Sequence, residues 1–163
     1  MTPICRQNSG NCSRELLRGC ENFRTTGTLT ELVGILSYQV QDIWPYVVGH
    51  VERFTEKTGG RYSPASVLSK LLTADMQLWI VVEGKEISAA VITQISVWDT
   101  GLKSLVIVGI GGDGLPNWIH LIERLEEFGR EKDCSFVELH GRQGWRRALP
   151  DYELTDSSLE KRL

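Results

Sequence analysis

The spacing of apolar and polar positions changes along the chain and predicts a series of strands and helices. Gly34–Gln41 alternates and predicts a strand, after which Asp42 can cap a helix that runs to about Thr58. Ser63 and Pro64 predict the start of a second helix. The apolar stripes of these two helices are formed by Ile43, Val47, Val51 and Phe54 and by Val67, Leu68, Leu71 and Leu72.

The second half of the chain predicts a sheet with one crossover. Two strands joined at Gly84 are followed by a strand at Leu105–Val108, a glycine-rich loop and a helix to about Lys132. Ser135–His140 predicts another strand, then a short helix and a final strand or hairpin over Tyr152–Leu163. Three consecutive strands imply antiparallel pairing, and strand–helix–strand implies a right-handed parallel crossover. We therefore expect an α+β fold, a mixed and mostly antiparallel sheet with helices on both faces.

Composition separates an extension from a single domain. Residues 1–30 are rich in Ser, Thr, Asn, Arg and Gly without a sustained period, so we expect a loosely ordered extension before a domain at residues 31–163. The chain has 41% apolar and 24% charged residues, as globular proteins have, and its net charge of −3 argues against nucleic-acid binding. No apolar run reaches the roughly 20 residues of a membrane span, and no secretory signal begins the chain, so we expect a cytoplasmic protein.

The four cysteines do not predict a metal site. Cys5, Cys12 and Cys20 are not spaced as zinc ligands are, and Cys134 is far from them in the sequence. We therefore expect reduced, unpaired thiols and no metal.

The most conspicuous stretch is GIGGDGLPNWIH, from Gly109 to His120, where a strand meets a helix. Its glycines fit either a tight turn with Asp113 as the helix cap or a loop that holds phosphates. With the order of elements over residues 32–163, this loop resembles the GNAT superfamily, the Gcn5-related N-acetyltransferases. More narrowly, ELHGRQGWRRALPDYEL, from Glu138 onward, resembles the end of GNAT-like proteins encoded by phages and prophages.

The resemblance implies acetyl-CoA as the cofactor and an unknown amine as the acceptor. The strands at Leu105–Ile110 and Ser135–His140 would splay apart, and free backbone groups between them would pair with the pantetheine arm. The N–H groups of the loop would receive the pyrophosphate. The cofactor-binding residues implied in this way are Val108, Gly109, Ile110, Gly111, Gly112, Asp113 and Gly114.

Candidate catalytic and phosphate-binding side chains follow the crossover. Glu138 and His140 are two residues apart on a strand and share a face, so either could be the general base; alternatively, both end the strand in solvent. Arg142, in GRQGW, could hold the 3′-phosphate of CoA, or it could be a solvated arginine beside a core Trp145.

Three departures from the family pattern favour a second hypothesis. No Gln or Arg precedes Gly109 at the lead position of the loop, and Asp113 places a negative charge where a pyrophosphate would bind. The short helix offers Trp145 where many family members carry a Tyr that protonates the thiolate, and Tyr152 lies beyond Pro150. The alternative is a catalytically silent GNAT-like module that binds a phage virion or packaging component. An exposed edge strand would also allow a homodimer.

Overall fold

The computed structural model describes residues 29–140 and 144–153. Within these residues, five strands form one mixed sheet in the order β1-β2-β3-β4-β5. The first four strands pair antiparallel, and β4 pairs parallel with β5, which confirms the predicted fold class. The strands are β1 (Thr30–Ile35), β2 (Gln77–Glu83), β3 (Glu86–Val97), β4 (Lys103–Gly112) and β5 (Phe136–Leu139). Most of the predicted extension lies outside the described residues and stays a prediction.

The helices connect these strands and cover the sheet. They are α1 (Val40–Thr55), α2 (Pro64–Leu72), α3 (Leu115–Trp118), α4 (Glu123–Glu131) and α5 (Trp145–Ala148). Short 3₁₀ segments lie at Ser37–Gln39, Glu56–Thr58 and Ile119–Ile122. In the part of the chain that the structure covers, no helix combines the length and the apolar character needed to cross a membrane.

The predicted strand over 34–41 is placed too late in the chain. The pairing of β1 with β2 begins at Thr30, which lies opposite Glu83, and the strand ends at Ile35, the last paired residue. The backbone then turns at Leu36, whose N–H donates to Oε1 of Gln39 at 3.1 Å. This local hydrogen bond starts the helical turn that leads into α1, and Asp42 is therefore inside the helix and is not its cap.

The predicted long helix after the glycines is interrupted. Leu115–Trp118 forms one helical turn, and a 3₁₀ segment separates it from α4. Trp118 causes the interruption, since its φ of −127° departs from helical values while its side chain is only 1% exposed. The burial of this indole beneath the preceding turn determines the backbone conformation at Trp118. The spacing of apolar residues along the chain does not predict such a contact.

Two cores lie on opposite faces of the sheet. Along β2, Leu78 and Ile80 pack with the core beneath α1 and α2, and Trp79 and Val81 pack with the core beneath α3 and α4. The predicted stripes of α1 and α2 both face the first of these cores and are buried there, except that Leu68 is partly buried and Leu72 is 39% exposed. Alternate residues of the central strands thus stabilise both layers.

Candidate functional site

The sheet opens between β4 and β5. Their parallel pairing ends where Ile107 lies opposite Leu139. Beyond that level, Val108–Gly112 keeps β3 as a neighbour on one side, and no strand of residues 29–140 or 144–153 pairs with its other side. Backbone N–H and C=O groups on that side are therefore available to a ligand.

A β-bulge in β4 lies at the same level. Ile92 of β3 faces Gly109 and Thr93 faces Ile107, so Val108 is an extra residue without a partner on β3. A bulge of this kind bends its strand and increases its twist. The bulge and the end of pairing with β5 thus coincide, so the bend in β4 lies at the level where the two strands part.

Gly109, Gly111 and Gly112 are part of β4, so the prediction that they form a loop is wrong, whereas Gly114 lies beyond the strand. A Cβ on Gly109 would collide with the ring of Phe54 in α1, and a Cβ on Gly111 would collide with the backbone carbonyl of His50. Gly112 has a φ of +138°, which side chains rarely adopt. The close approach of α1 to β4 therefore requires glycine at positions 109 and 111, and the backbone conformation favours it at position 112, without any ligand.

The tight turn follows the end of β4 and is formed by Asp113 and Gly114. The Asp113 N–H donates to the carbonyl of Ser88 at 3.1 Å, and the indole N–H of Trp118 donates to the carbonyl of Asp113 at 3.0 Å. Gly114, with a φ of +68°, occupies the cap position of α3. The carboxylate of Asp113 therefore does not cap this helix. The interpretation of the sequence in which Asp113 is the helix cap is wrong.

Asp113 is paired with a cation from a distant element. Nη1 of Arg53, in the last turn of α1, donates to Oδ2 of Asp113 at 2.6 Å. The hydrogen bond and the charge of this guanidinium lower the pKa of Asp113. The negative charge expected to repel a pyrophosphate is therefore compensated, and nothing in the spacing of Arg53 along the sequence indicates this role.

Two further polar groups border the turn. His50 lies with Nε2 3.2 Å from the carbonyl of Ile87, and its buried Nδ1 has no partner among the described residues. The buried Oε1 of Glu83 is also without a partner there, and it lies 3.7 Å from the position that a Cβ on Gly114 would take. The turn is thus bordered by acidic side chains as well as by the guanidinium of Arg53.

Glu138 and His140 lie together at the mouth of the opening. Glu138 faces Val106 in the parallel pairing, one residue before that pairing ends, and His140 follows the last residue of β5. Nε2 of His140 lies 3.6 Å from Oε2 of Glu138, and the His140 side chain is 73% exposed against 30% for Glu138. The two candidate bases therefore form one pair within reach of solvent.

The C-terminal candidates are only partly described. Arg142 lies outside the described residues, so its proposed contact with a phosphate stays a prediction. The hydroxyl of Tyr152 donates to Oε1 of Glu126 at 3.1 Å. Burial raises the pKa of Tyr152 well above its usual range, and the Glu126 carboxylate raises it further. This phenol is accordingly a weak acid.

No family model and no curated relative matches the sequence, whereas solved structures match its fold. A ribosomal-protein-alanine N-acetyltransferase from Brucella melitensis biovar Abortus 2308 superposes with a TM-score of 0.59 at 14% identity, covering 83% of this chain and 99% of that one. A predicted acetyltransferase with acetyl-CoA from Clostridium acetobutylicum gives 0.58 at 14%, covering 83% and 96%. A GCN5-related N-acetyltransferase from Ralstonia eutropha JMP134 gives 0.59 at 15%, covering 83% and 99%.

The fold is therefore that of the GNAT acetyltransferases, over most of this chain and nearly all of theirs. These three matches are bacterial, and they give no support to the resemblance of the C-terminal stretch to phage-encoded proteins. Across residues 29–140 and 144–153, no group of three or more His, Cys, Asp or Glu side chains is placed to hold a metal ion.

Proposed function

We propose that this protein is an acyl-CoA-dependent N-acetyltransferase that binds acetyl-CoA in the opening between β4 and β5. The observation that carries the proposal is the bulge at Val108, which coincides with the end of pairing at Ile107 and Leu139. The free edge of Val108–Gly112 offers backbone donors and acceptors to the amide groups of the pantetheine arm. A match that contains acetyl-CoA shares the fold, which supports this choice of substrate.

The chemistry requires little from the side chains. Acetyl-CoA supplies a thioester carbonyl; the amine nitrogen of the acceptor forms a bond to that carbon, and the bond from carbon to sulfur breaks. The amine must lose a proton, and His140 accepts it, since a neutral imidazole nitrogen is a common general base in enzymes. Glu138, at 3.6 Å, stabilises the imidazolium that results.

The thiolate leaves without a strong protein acid. The phenol of Tyr152 is held by Glu126 and has a raised pKa, and the indole of Trp145 is not an acid at neutral pH. Because the ordinary pKa of a thiol is about 8.5, the CoA thiolate can instead take its proton from water.

Thermal unfolding with acetyl-CoA tests the binding step. A ligand at a hundredfold excess over its dissociation constant adds about 2.7 kcal/mol to the free energy of unfolding, which a melting curve detects.

Release of CoA thiol in the presence of a panel of amines then tests turnover. We expect His140→Gln and Glu138→Gln to keep the thermal shift and to lower turnover by about 100-fold or more. The exposed Glu123→Gln, on α4, is the control and should change neither. An unchanged melting temperature at millimolar acetyl-CoA would refute the proposal.

A second candidate is a GNAT-fold binding module without catalysis. It is favoured by the finding that Gly109 and Gly111 are accounted for by the packing of α1 alone. A groove of about 1320 Å³ also runs along β5, with Trp98 and Phe136 exposed in it, and it could receive a protein. The partner would be a virion or packaging component if the phage resemblance holds, or a second copy of the chain at the edge of β5. Turnover of acetyl-CoA by the purified protein would exclude the silent module, and light scattering would reveal a dimer.

A further inference from the structure

A diphosphate at the end of β4 meets few backbone donors. The N–H of Asp113 already donates to a carbonyl of β3, and Pro116 has no N–H. Asn117 donates its own N–H to the carbonyl of Gly114 at 2.8 Å. Since α3 is a single turn, its dipole attracts an anion only weakly. The carboxylates of Asp113 and Glu83 border the same turn and would repel an anion if no cation compensated them. The phosphates of an acyl-CoA therefore need a cationic side chain here.

Arg53 is such a side chain, and α1 fixes its position. It lies between two residues of α1 that contact glycines of β4, His50 against Gly111 and Phe54 against Gly109. Because these contacts leave no room even for a Cβ, the end of α1 packs directly on β4, which places the backbone of Arg53 beside the turn. The Arg53 side chain is 52% exposed. A guanidinium has five N–H donors, so one that contacts a carboxylate can still contact a phosphate from the solvent side.

We propose that Arg53 is the phosphate-binding side chain of this site and that Asp113 holds it in the free protein and competes for it; this inference rests on the proposed function. When the diphosphate of an acyl-CoA binds, the guanidinium exchanges a carboxylate for phosphate oxygens, which it can contact in a bidentate manner. Asp113 then loses its partner and repels the bound ligand. The two residues of one ion pair thus have opposite effects on the affinity.

Calorimetric titration with acetyl-CoA tests this exchange. We expect Arg53→Gln to raise the dissociation constant about tenfold or more, because it removes charge-assisted hydrogen bonds, and Asp113→Asn to lower it severalfold. Inorganic pyrophosphate should displace acetyl-CoA from the wild type and from Asp113→Asn, and should be much less effective on Arg53→Gln. Acetyl-pantetheine, which lacks the phosphates, should bind equally to all three proteins. The control is Arg124→Gln, which removes an exposed and paired arginine of α4 and should leave the affinity unchanged.

The outcomes separate this inference from the proposed function. If the wild type binds no acetyl-CoA, the proposed function fails, and the exchange fails with it. If the wild type binds and Arg53→Gln binds as tightly, only the exchange is refuted. The same holds if Asp113→Asn weakens binding as much as Arg53→Gln does, because the ion pair would then only hold the turn to α1. Melting temperatures close to the wild type, expected for an exposed pair, show that the variants are folded.

Discussion

Gly111 lies where the backbone of α1 packs directly against β4. The added methyl group of Gly111→Ala would meet the carbonyl of His50, which belongs to the helix backbone and cannot rotate away. We expect this substitution to lower the free energy of unfolding by about 3 kcal/mol or more, measured by denaturant unfolding. Gly49→Ala is the matched control, since Gly49 adjoins His50 but has open space around it. It should raise the stability by roughly 0.5 to 1 kcal/mol. Equal effects of the two substitutions would contradict the packing account of the glycines.

Tyr152 gives the stability a dependence on alkaline pH. Its pKa is raised in the folded protein, so folding favours the neutral phenol, whereas the unfolded chain ionises near pH 10. The stability that Tyr152 contributes is therefore complete below about pH 10 and is lost as the pH rises further. We expect Tyr152→Phe to cost about 1 kcal/mol at pH 7, by loss of the hydrogen bond to Glu126. Unfolding from pH 7 to 11 should show this difference shrink above pH 10, and a constant difference would contradict it.

At the scale of the element, α2 depends on its N-cap residue, Ser63. Ser63 accepts a hydrogen bond from the N–H of Ser66 at 3.1 Å, and the Ser66 side chain accepts one from the N–H of Ser63 at 3.0 Å. We expect Ser63→Ala to cost about 1 kcal/mol in chemical denaturation, because a helix N–H loses its acceptor. Ser69→Ala, in the exposed middle of α2, should be neutral or slightly stabilising. If both serines proved equally dispensable, the capping account would be wrong.

The elements also differ in how well their sequences predict them. The start of α2 is predicted to the residue, because Ser63 and Pro64 act locally on the first turn. The helix after the glycines is predicted as continuous and is found in three pieces, because Trp118 is buried by contacts that lie outside its own segment. Local chemistry thus sets the ends of elements where caps exist, and tertiary burial overrides periodicity where they do not.

At the scale of the whole molecule, the two cores share one sheet and should unfold together. Leu71 of α2 is 1% exposed in one core, and Leu125 of α4 is 0% exposed in the other. We expect Leu71→Ala and Leu125→Ala each to cost about 2 to 5 kcal/mol while unfolding remains a single transition. Leu72→Ala, on the exposed side of α2, should cost less than about 1 kcal/mol. Separate transitions in fluorescence and circular dichroism would show that the faces fold independently.

The candidate site is predictable in part. The pairing of Glu138 with His140 follows from the two-residue period of a strand, and the position of the opening is implied by the resemblance to the GNAT superfamily. The contact of Arg53 with Asp113 does not, because it joins α1 to a turn 60 residues later in the chain. The role of the glycines is equally impossible to predict from the sequence. The same residues are compatible with a phosphate-binding loop and with a strand on which a helix packs directly.

The sequence by itself determined the order of strands and helices, the apolar stripes of the helices and the parallel crossover, and its resemblance to the GNAT superfamily implied an opening beside β4. These depend on spacing along the chain, which periodicity reports directly. Only the tertiary structure decided that Gly109, Gly111 and Gly112 belong to β4, that Trp118 interrupts the following helix and that Arg53 compensates Asp113. Each of these depends on which elements touch across the sheet, and such contacts are set by packing in space and leave no pattern along the chain.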